Sequence, residues 1–233
     1  PIWLTVFSQD IRTRNHVNDS AYQATFITKN TIDLIGLADV IGYWQLSDID
    51  AEYIDTTRIL FGGTGIISKD GLKKPGFSAL KRLSSINTLL IRKEPNLLVT
   101  TNGINTYNIV LCNHARFTDL YCLSNGEGVN YDNAYTVFSE AATKNISITL
   151  NGVQNGHYKV ITMTLNRENG SLFDQWLGYG IIDGLQPHDI HYLQDIVHPQ
   201  RMVRYHDCQD GTLKLTMQML PHEVKFLLVL REL

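Results

Sequence analysis

Short apolar runs and longer segments of helical character alternate over the first ninety residues. Residues 2–7 and 39–46 are apolar runs of strand length, and we expect both to be buried strands. A helix is predicted from about residue 19, an N-cap residue type, to about residue 37. A second helix is expected over residues 80–90, after the helix-breaking sequence at residues 74–76. This order of strand and helix predicts parallel βα units.

After residue 95 the pattern changes to short runs of β-forming residues, which indicate an antiparallel β-sandwich. The dipeptides Asn102-Gly103, Asn151-Gly152 and Asp210-Gly211 favour the positive φ of tight turns and fall where strands must reverse. A helix is predicted over residues 187–196, before the last two strands. The expected strands are residues 97–101, 107–112, 146–150, 158–165, 213–219 and 224–230.

The change of pattern divides the chain into two predicted domains, residues 1–94 and residues 95–233. A closed (β/α)₈ barrel takes roughly 250 residues, so two βα units cannot form one. Either the remaining strands belong to a part of the parent protein outside this chain, or the two units pack on the second domain as an appendix.

Composition and charge narrow the classes of function. Hydrophobic residues make up 43% of the 233 residues and charged residues 18%, which is typical of a globular protein with a substantial core. The formal net charge is −3 and the basic residues are scattered along the chain. This distribution argues against a nucleic-acid-binding surface, so we expect DNA contact only through a domain outside this chain.

Cysteine usage bears on the compartment, whereas the absence of an apolar leader from this sequence says little. Cys112, Cys122 and Cys208 form an odd set without CxxC spacing, which favours reduced thiols that act as packing residues in a cytoplasmic protein. No apolar run reaches the roughly 18 residues of a membrane span, and no secretory leader is present. The chain opens on Pro1 inside an apolar run, so we expect the true N-terminus to lie elsewhere.

Four blocks of sequence together resemble the C-terminal third of glycoside hydrolase family 39, the β-xylosidase and α-iduronidase group. Their order and spacing are similar to those of the seventh and eighth barrel strands of the family and of the loop and helix that follow. The family also has a β-sandwich after its barrel. The resemblance thus implies a mixed α/β plus all-β protein, with the last two βα units of a TIM-type barrel followed by an antiparallel β-sandwich. The blocks are LTVFS at residues 4–8 with Arg14-Asn15 and Asn18-Asp19 following, GYWQLSD at 42–48, FGGTGII at 61–67 and GLKKPGF at 71–77.

A subgroup of the family resembles the chain more closely. Residues 165–176 (LNRENGSLFDQW), Gly180 and residues 189–193 are similar to the tail of bacterial AraC-type transcriptional regulators. These regulators carry a family-39-like domain behind their DNA-binding domain. The resemblance implies that the parent protein is such a regulator and that the missing barrel strands, as part of that parent, are partners of this chain.

The resemblance places the catalytic nucleophile at a position that has lost its carboxylate. In the hydrolases the seventh strand ends in Thr-Glu-Trp, and the Glu is the nucleophile of a retaining mechanism. The matching residues here are Thr5, Val6 and Phe7, and valine cannot ionise. Asp10 would replace the nucleophile only if it held the separation of about 5 to 5.5 Å that a retaining pair needs. The acid/base residue would lie on the fourth strand, outside this chain.

The same resemblance suggests the residues that contact sugar. Trp44, at the end of the second strand, matches an aromatic platform, and the alternative is a core residue. Phe7 is a further candidate. Glu52 matches one member of an acidic pair whose other member is Ala51 here. Asp48 is a candidate contact to sugar hydroxyls, although capping of its own loop is the favoured role.

No metal or cofactor is expected. His188 and His191 are three residues apart, but no HExxH or CxxC motif accompanies them, so an ordinary polar helix surface explains the pair. Gly62, Gly63 and Gly65 lack the following Lys-Ser or Lys-Thr of a phosphate loop, and we expect them to serve backbone geometry.

Three functions agree with these observations. The first is a sugar-sensing module of a regulator of carbohydrate metabolism, which binds a pentose or a xylo-oligosaccharide without cleaving it. The alternative is an active β-xylosidase-type hydrolase with an unconventional nucleophile or an inverting arrangement. A scaffold without a ligand, and assembly into a homo-oligomer, are also compatible with the sequence.

Overall fold

The structure, a computed structural model, describes residues 1–9, 14–49 and 56–232. Its first part contains strand β1 (Trp3–Phe7), helix α1 (Tyr22–Leu34), strand β2 (Val40–Tyr43) and helix α2 (Pro75–Leu83). The two strands pair in parallel, with Trp3 opposite Val40. The predicted order of parallel βα units is therefore confirmed.

Both predicted helices needed correction at their ends. A short 3-10 helix (His16–Asp19), capped by the side chain of Asn15, precedes α1, so Asp19 lies inside that helix rather than at a cap. The helix predicted over residues 80–90 lies over residues 75–83 instead, and Leu89 and Leu90 belong to a strand. Pro75 occupies the first turn of α2, where its missing N–H leaves no hydrogen bond unmade, and so it starts the helix instead of breaking it.

The rest of the chain is built mainly from antiparallel strands. Its described elements are β3 (Leu89–Glu94), β4 (Leu97–Thr101), β5 (Thr106–Asn113), β6 (Arg116–Phe117), α3 (Asp119–Leu123), β7 (Phe138–Ser139), β8 (Lys144–Asn151), β9 (Gly156–Leu165), α4 (Leu172–Gly178), α5 (Pro187–Ile196), β10 (Gln200–Cys208), β11 (Thr212–Met219) and β12 (Glu223–Arg231). Within the described residues, six of these strands form one sheet in the order β10-β9-β12-β5-β4-β3, β8 and β11 form a separate pair, and β6 and β7 form a short third ladder. All of these pairings are antiparallel.

The central strands of the six-stranded sheet are buried on both faces, whereas the edge strands β3 and β10 are largely exposed. Ile109 and Leu111 of β5 face the pair β8–β11, while Val110 and Cys112 face α1 and α2. Successive side chains of a strand point to opposite faces, so this strand is apolar at every position from 109 to 112. The helices of the first part therefore share a core with the sheet.

The turn dipeptides adopt the predicted backbone but do not all reverse a strand within one sheet. Gly103, Gly152 and Gly211 have φ between 72° and 78°. The turn at Gly103 joins β4 to β5 in a hairpin, whereas the turns at Gly152 and Gly211 lead from one sheet to the other. Strand β3 pairs with β4 although it lies before the predicted domain boundary at residue 94.

Two smaller findings concern thiols and helix length. Cys112 and Cys208 are buried, as predicted for packing residues, but Cys122 is exposed, so for this cysteine the prediction is wrong. Among the described residues, no helix combines the length and the apolar character that crossing a membrane requires.

Candidate functional site

The C-terminal ends of β1 and β2 lie side by side. Phe7 is opposite Tyr43, and the backbone N–H of Trp44 donates to the carbonyl oxygen of Phe7 at 2.9 Å. The ring of Phe7 stacks on Phe26 of α1, with the ring centres 5.1 Å apart. The structure therefore turns Phe7 towards the helix, away from the face on which Val6 lies.

Val6 precedes Phe7 and Trp44 follows Tyr43, and neither belongs to the core that α1 shares with the large sheet. The side chain of Val6 is 61% exposed and that of Trp44 is 46% exposed. At Gly42 of β2, an added Cβ would come within 2.9 Å of the carbonyl oxygen of Thr5, so the two strands approach closely there. We call the exposed surface of Val6 and Trp44 the Val6–Trp44 face. Trp44 is thus not buried among the described residues, and its contact with sugar stays a prediction.

Two of the predicted site residues lie outside the described residues. They are Asp10, the candidate substitute for the nucleophile, and Glu52, the candidate contact to sugar hydroxyls.

Asp48 lies beneath the end of β2 and is only 3% exposed. Its Oδ1 accepts a hydrogen bond from the backbone N–H of Gly65 at 2.7 Å, and its Oδ2 accepts one from Lys74 Nζ at 2.9 Å. Both carboxylate oxygens are engaged inside the protein. Asp48 therefore does not lie with Trp44 on the exposed face. Its carboxylate accepts a hydrogen bond from Gly65 of the glycine-rich loop, and it does not cap its own loop as predicted.

Lys74 is the centre of a buried ionic network. Its side chain is fully buried, and its ammonium group donates hydrogen bonds to Asp48 Oδ2 and to the carbonyl oxygen of Gly63 at 2.7 Å. The same group forms an ion pair with Asp19, with Nζ 2.7 Å from Oδ1. The second oxygen of Asp19 accepts from the backbone N–H of Gly62 at 2.7 Å and lies 2.9 Å from His16 Nδ1. The network joins the 3-10 helix, the loop after β2, the glycine-rich loop and the start of α2.

Burial and pairing act against each other on the pKa values of this network. Burial alone would lower the pKa of Lys74, but the two carboxylates outweigh it and hold that pKa above its ordinary value. Burial would raise the pKa of Asp19, but Lys74 and His16 outweigh it and lower that pKa. For Asp48, burial dominates and raises the pKa, since Lys74 offsets it only in part. Asp48 is therefore the carboxylate of the network that takes up a proton first.

The glycine-rich loop packs directly against Asp48, as expected for glycines that serve geometry. A Cβ at Gly63 would lie 2.4 Å from Asp48 Oδ1, and one at Gly65 would lie 2.5 Å from the backbone nitrogen of Asp48. A side chain at either position would displace the carboxylate. The absence of side chains is what lets the loop supply its N–H and C=O groups to the network.

The two parts of the site have different chemical capacities. The Val6–Trp44 face offers an indole and apolar surface, which suit the C–H side of a sugar ring. Among the described residues at the C-terminal ends of β1 and β2, no carboxylate is exposed. The carboxylates of the network below are buried and paired with Lys74. The described residues of the Val6–Trp44 face therefore contain an aromatic surface but no group that could act as nucleophile or general base.

Sequence reasoning missed Lys74, Asp19 and His16 as site residues. A lysine beside a helix start is ordinarily solvated, and nothing in the periodicity marks it as buried. The one available signal was the run of glycines before it, since glycines permit a close approach of backbone to a side chain. In the part of the chain that the structure describes, no three His, Cys, Asp or Glu side chains converge as a metal site would require.

Comparisons with known proteins agree on one family. The family model described as Glycosyl hydrolases family 39 matches residues 1–214. An HTH-type transcriptional regulator of Staphylococcus aureus is 22% identical over 214 residues, which are 92% of this chain and 27% of the regulator. A β-xylosidase of Caldicellulosiruptor saccharolyticus is 24% identical over 187 residues, which are 77% of this chain and 34% of the enzyme. The chain thus spans about a quarter to a third of the length of these relatives.

Solved structures show the same fold. A GH39 enzyme from Xanthomonas axonopodis pv. citri superposes with a TM-score of 0.81 at 18% identity, and covers the whole of this chain with 45% of its own. A monomeric β-xylosidase from Caulobacter crescentus superposes with a TM-score of 0.81 at 19% identity, and covers the whole of this chain with 46% of its own.

Proposed function

The chain belongs to glycosyl hydrolase family 39, and from this premise we propose that it is a sugar-binding regulatory module that has lost hydrolytic activity. The observation that carries the proposal is Val6. It stands at the end of β1, exposed beside Trp44, where the family resemblance places the nucleophilic carboxylate. A valine leaves the covalent step without an agent, whereas the exposed indole retains a means of holding a sugar.

The relatives support a regulatory role for the parent protein. Several curated relatives are named HTH-type transcriptional regulators, which fits a parent of the AraC type that controls carbohydrate metabolism in the cytoplasm. DNA would be bound by a domain outside this chain, since the net charge here is −3. A ligand that is not cleaved can hold one conformation of a regulator for as long as it is bound.

The parallel pair also supports a larger architecture. We propose that β1 and β2 are the last two strands of a TIM-type barrel and that the antiparallel strands form a β-sandwich behind it. Trp3, Val6 and Val40 are exposed apolar residues on this pair, and the remaining barrel strands of the parent would cover them. The ligand would be a pentose or a short xylo-oligosaccharide.

The alternative function is an active β-xylosidase, favoured by the relative that is named β-xylosidase. It requires a nucleophile other than Val6, and Asp10 is the candidate. The test pairs two assays on the parent protein: hydrolysis of a panel of aryl glycosides, and calorimetric titration with pentoses and xylo-oligosaccharides. We expect binding without turnover, because loss of a covalent nucleophile removes several orders of magnitude of rate.

Variants make the two assays decisive. Trp44→Ala is expected to weaken sugar binding by about tenfold, since an aromatic contact is worth on the order of 1 kcal/mol. Tyr205→Ala is the control, because Tyr205 is also an exposed aromatic residue but lies on β10, away from β1 and β2. Robust hydrolysis that vanishes in Asp10→Asn would overturn the proposal. If neither hydrolysis nor sugar binding is detected, the result favours a scaffolding role without a ligand.

A further inference from the structure

A cavity of about 530 Å³ opens where the turn between β11 and β12 meets the start of α4. Tyr135 and Ala141 line it from the segment around β7, Arg167 and Asp174 from the region of α4, and residues 220–222 from the turn. The volume is within the range of about 300 to 1,000 Å³ that is typical of small-molecule sites. None of these residues belongs to β1 or β2.

His222 contributes a buried polar atom that lacks a partner. The residue is 2% exposed, and its Nδ1 makes no hydrogen bond within the described part of the chain. Its φ is 57°, a left-handed backbone conformation that a non-glycine residue seldom adopts. Such strain persists where the surroundings impose it, and it clusters at ligand sites. Nδ1 is closed off while the cavity is empty, so the ring must rotate slightly for a ligand in the cavity to supply the missing hydrogen bond.

The protonation state of His222 suits a neutral partner. Burial lowers the pKa of His222 to about 4, with further lowering by His114 and Arg167. The ring is therefore uncharged near neutral pH, with one nitrogen that donates and one that accepts. Either tautomer can pair with a hydroxyl group, which both donates and accepts.

The other polar groups of the cavity are held in fixed positions by one another. The hydroxyl of Tyr135 donates to Asp174 Oδ2 at 2.6 Å, and Arg167 Nε donates to Asp174 Oδ1 at 2.9 Å. The guanidinium of Arg167 also lies 3.8 Å from the centre of the Tyr135 ring. Such mutual contacts order a site before its ligand arrives, which lowers the entropic cost of binding.

Charge and surface composition select the class of ligand. Arg167 is the cation in the lining, whereas Glu168 and Asp174 are both acidic, so the charge of the lining disfavours an anion. Leu220 and Pro221 add an apolar wall. A mixture of fixed donors, fixed acceptors and apolar wall matches a molecule with many hydroxyl groups and a C–H face.

We propose that this cavity binds a neutral polyhydroxylated molecule of monosaccharide size, with one hydroxyl on His222 Nδ1, one on Arg167 and its C–H face against Pro221. This goes beyond the proposed function, which places a sugar on the Val6–Trp44 face. The two sites share no residue, so each can fail without the other.

The test titrates the full chain with D-xylose, L-arabinose, D-glucose and myo-inositol, by calorimetry and by nitrogen NMR of the histidine rings. We expect at least one of the four to bind with a Kd below about 10 mM and to shift the His222 ring signals. Ala141→Trp, which fills the cavity from an exposed segment, should weaken that binding by at least about tenfold, and so should Arg167→Met.

Two controls locate the binding. Ala142→Trp places the same side chain on the neighbouring exposed residue, which does not line the cavity, and should leave the affinity unchanged. Trp44→Ala removes the indole of the other face, and in this variant the ligand should shift the His222 ring signals at the same concentrations as in the unaltered chain. The proposal is overturned if none of the four molecules binds, if Ala141→Trp binds as well as the unaltered chain, or if Trp44→Ala abolishes the His222 shift.

Discussion

At the scale of single residues, Lys74 carries the largest expected effect on stability. Its ammonium group is the cation between two buried carboxylates, so Lys74→Met leaves Asp19 and Asp48 buried without a counter-charge. Removal of one member of a buried ionic network costs about 3 to 5 kcal/mol. We expect the free energy of unfolding to fall by that amount, measured by denaturant unfolding at neutral pH.

The neighbouring lysine provides the control for this prediction. Lys73 is exposed and lies with its ammonium 5.2 Å from the centre of the Phe77 ring. An exposed cation–π contact is worth about 1 kcal/mol or less, so Lys73→Met should change stability little. Equal losses in the two variants would show that the network does not stabilise the fold through Lys74.

One half-buried histidine, His114, and one buried histidine, His222, predict a loss of stability in acid. Burial, followed by nearby cations, lowers the pKa of His114 to about 4, and burial lowers that of His222 to about 4 as well. The unfolded chain takes up these protons near pH 6.5 and the folded chain only near pH 4, so the unfolded state binds more protons in between. The free energy of unfolding should therefore fall as the pH drops from about 6.5 to 4, by up to about 3 kcal/mol for each histidine.

His222→Asn tests this effect at one of the two sites. Asparagine tolerates a positive φ and does not titrate, so the variant should flatten the pH dependence by about half. His188→Asn serves as the control, because His188 is exposed, and its pH profile should match that of the unaltered chain. An unchanged slope in His222→Asn would contradict the prediction.

At the scale of secondary structure, α4 depends on its N-cap. The side chain of Ser171 accepts a hydrogen bond from the backbone N–H of Asp174 and lies 2.6 Å from Asp174 Oδ2. The helix is seven residues long and carries Phe173 and Trp176 into the core. Ser171→Ala should lower the free energy of unfolding by about 1 to 2 kcal/mol. Thermal unfolding measures this loss.

An exposed serine gives the comparison. Ser85 lies beyond the end of α2, and its hydroxyl donates to the carbonyl oxygen of Arg82 at an exposed position. Ser85→Ala should change the midpoint of unfolding by much less than Ser171→Ala does. A similar shift in both variants would mean that the cap contributes nothing specific to α4.

The elements that sequence predicted well are those with a strong local signal. Helix α5 was placed at its observed bounds, because Pro187 marks the first turn and the following apolar residues have helical spacing. Strand β4 was also placed exactly where it lies. Strand β10 was missed because it is exposed along most of its length and shows no apolar alternation, and α4 was missed because seven residues are too few to show a helical period.

The residues of the candidate site also differ in whether a local sequence signal predicts them. The positions of Val6 and Trp44 follow from strand ends, which a pattern of apolar residues marks. The role of Lys74 depends on acceptors from the 3-10 helix, the loop after β2 and the glycine-rich loop, so it is a property of the tertiary structure alone. Phe7 faces α1. Side chains alternate between the two faces of a strand, so a shift of one position along the sequence moves a side chain to the other face.

At the scale of the whole molecule, the isolated chain should expose an apolar surface. Trp3, Val6, Val40 and Trp44 lie on the parallel pair with large exposed fractions. Exposed apolar patches of this kind associate with one another or with dyes. We expect residues 1–233, expressed alone, to bind a hydrophobic dye or to self-associate, and the double variant Trp3→Lys with Val40→Lys to reduce both.

The control for that surface lies on a hairpin. Ile104 is also an exposed apolar residue, but it stands in the turn between β4 and β5. Ile104→Lys should leave dye binding and sedimentation unchanged. A monodisperse monomer of the isolated chain that binds no dye would count against an uncovered face.

The place of β12 in the large sheet has a consequence for the order in which the protein can fold. Among the strands that the structure describes, β12 comes last in sequence, yet it lies between β9 and β5. Its Leu227 and Val229 enter one core, and its Val224 and Phe226 enter the other. Until residues 223–231 have been synthesised, β9 with β10 and β3 with β4 and β5 remain two separate half-sheets with both apolar faces open. Completion of the sheet is therefore a late, long-range event, and the nascent chain depends on protection from aggregation until it occurs.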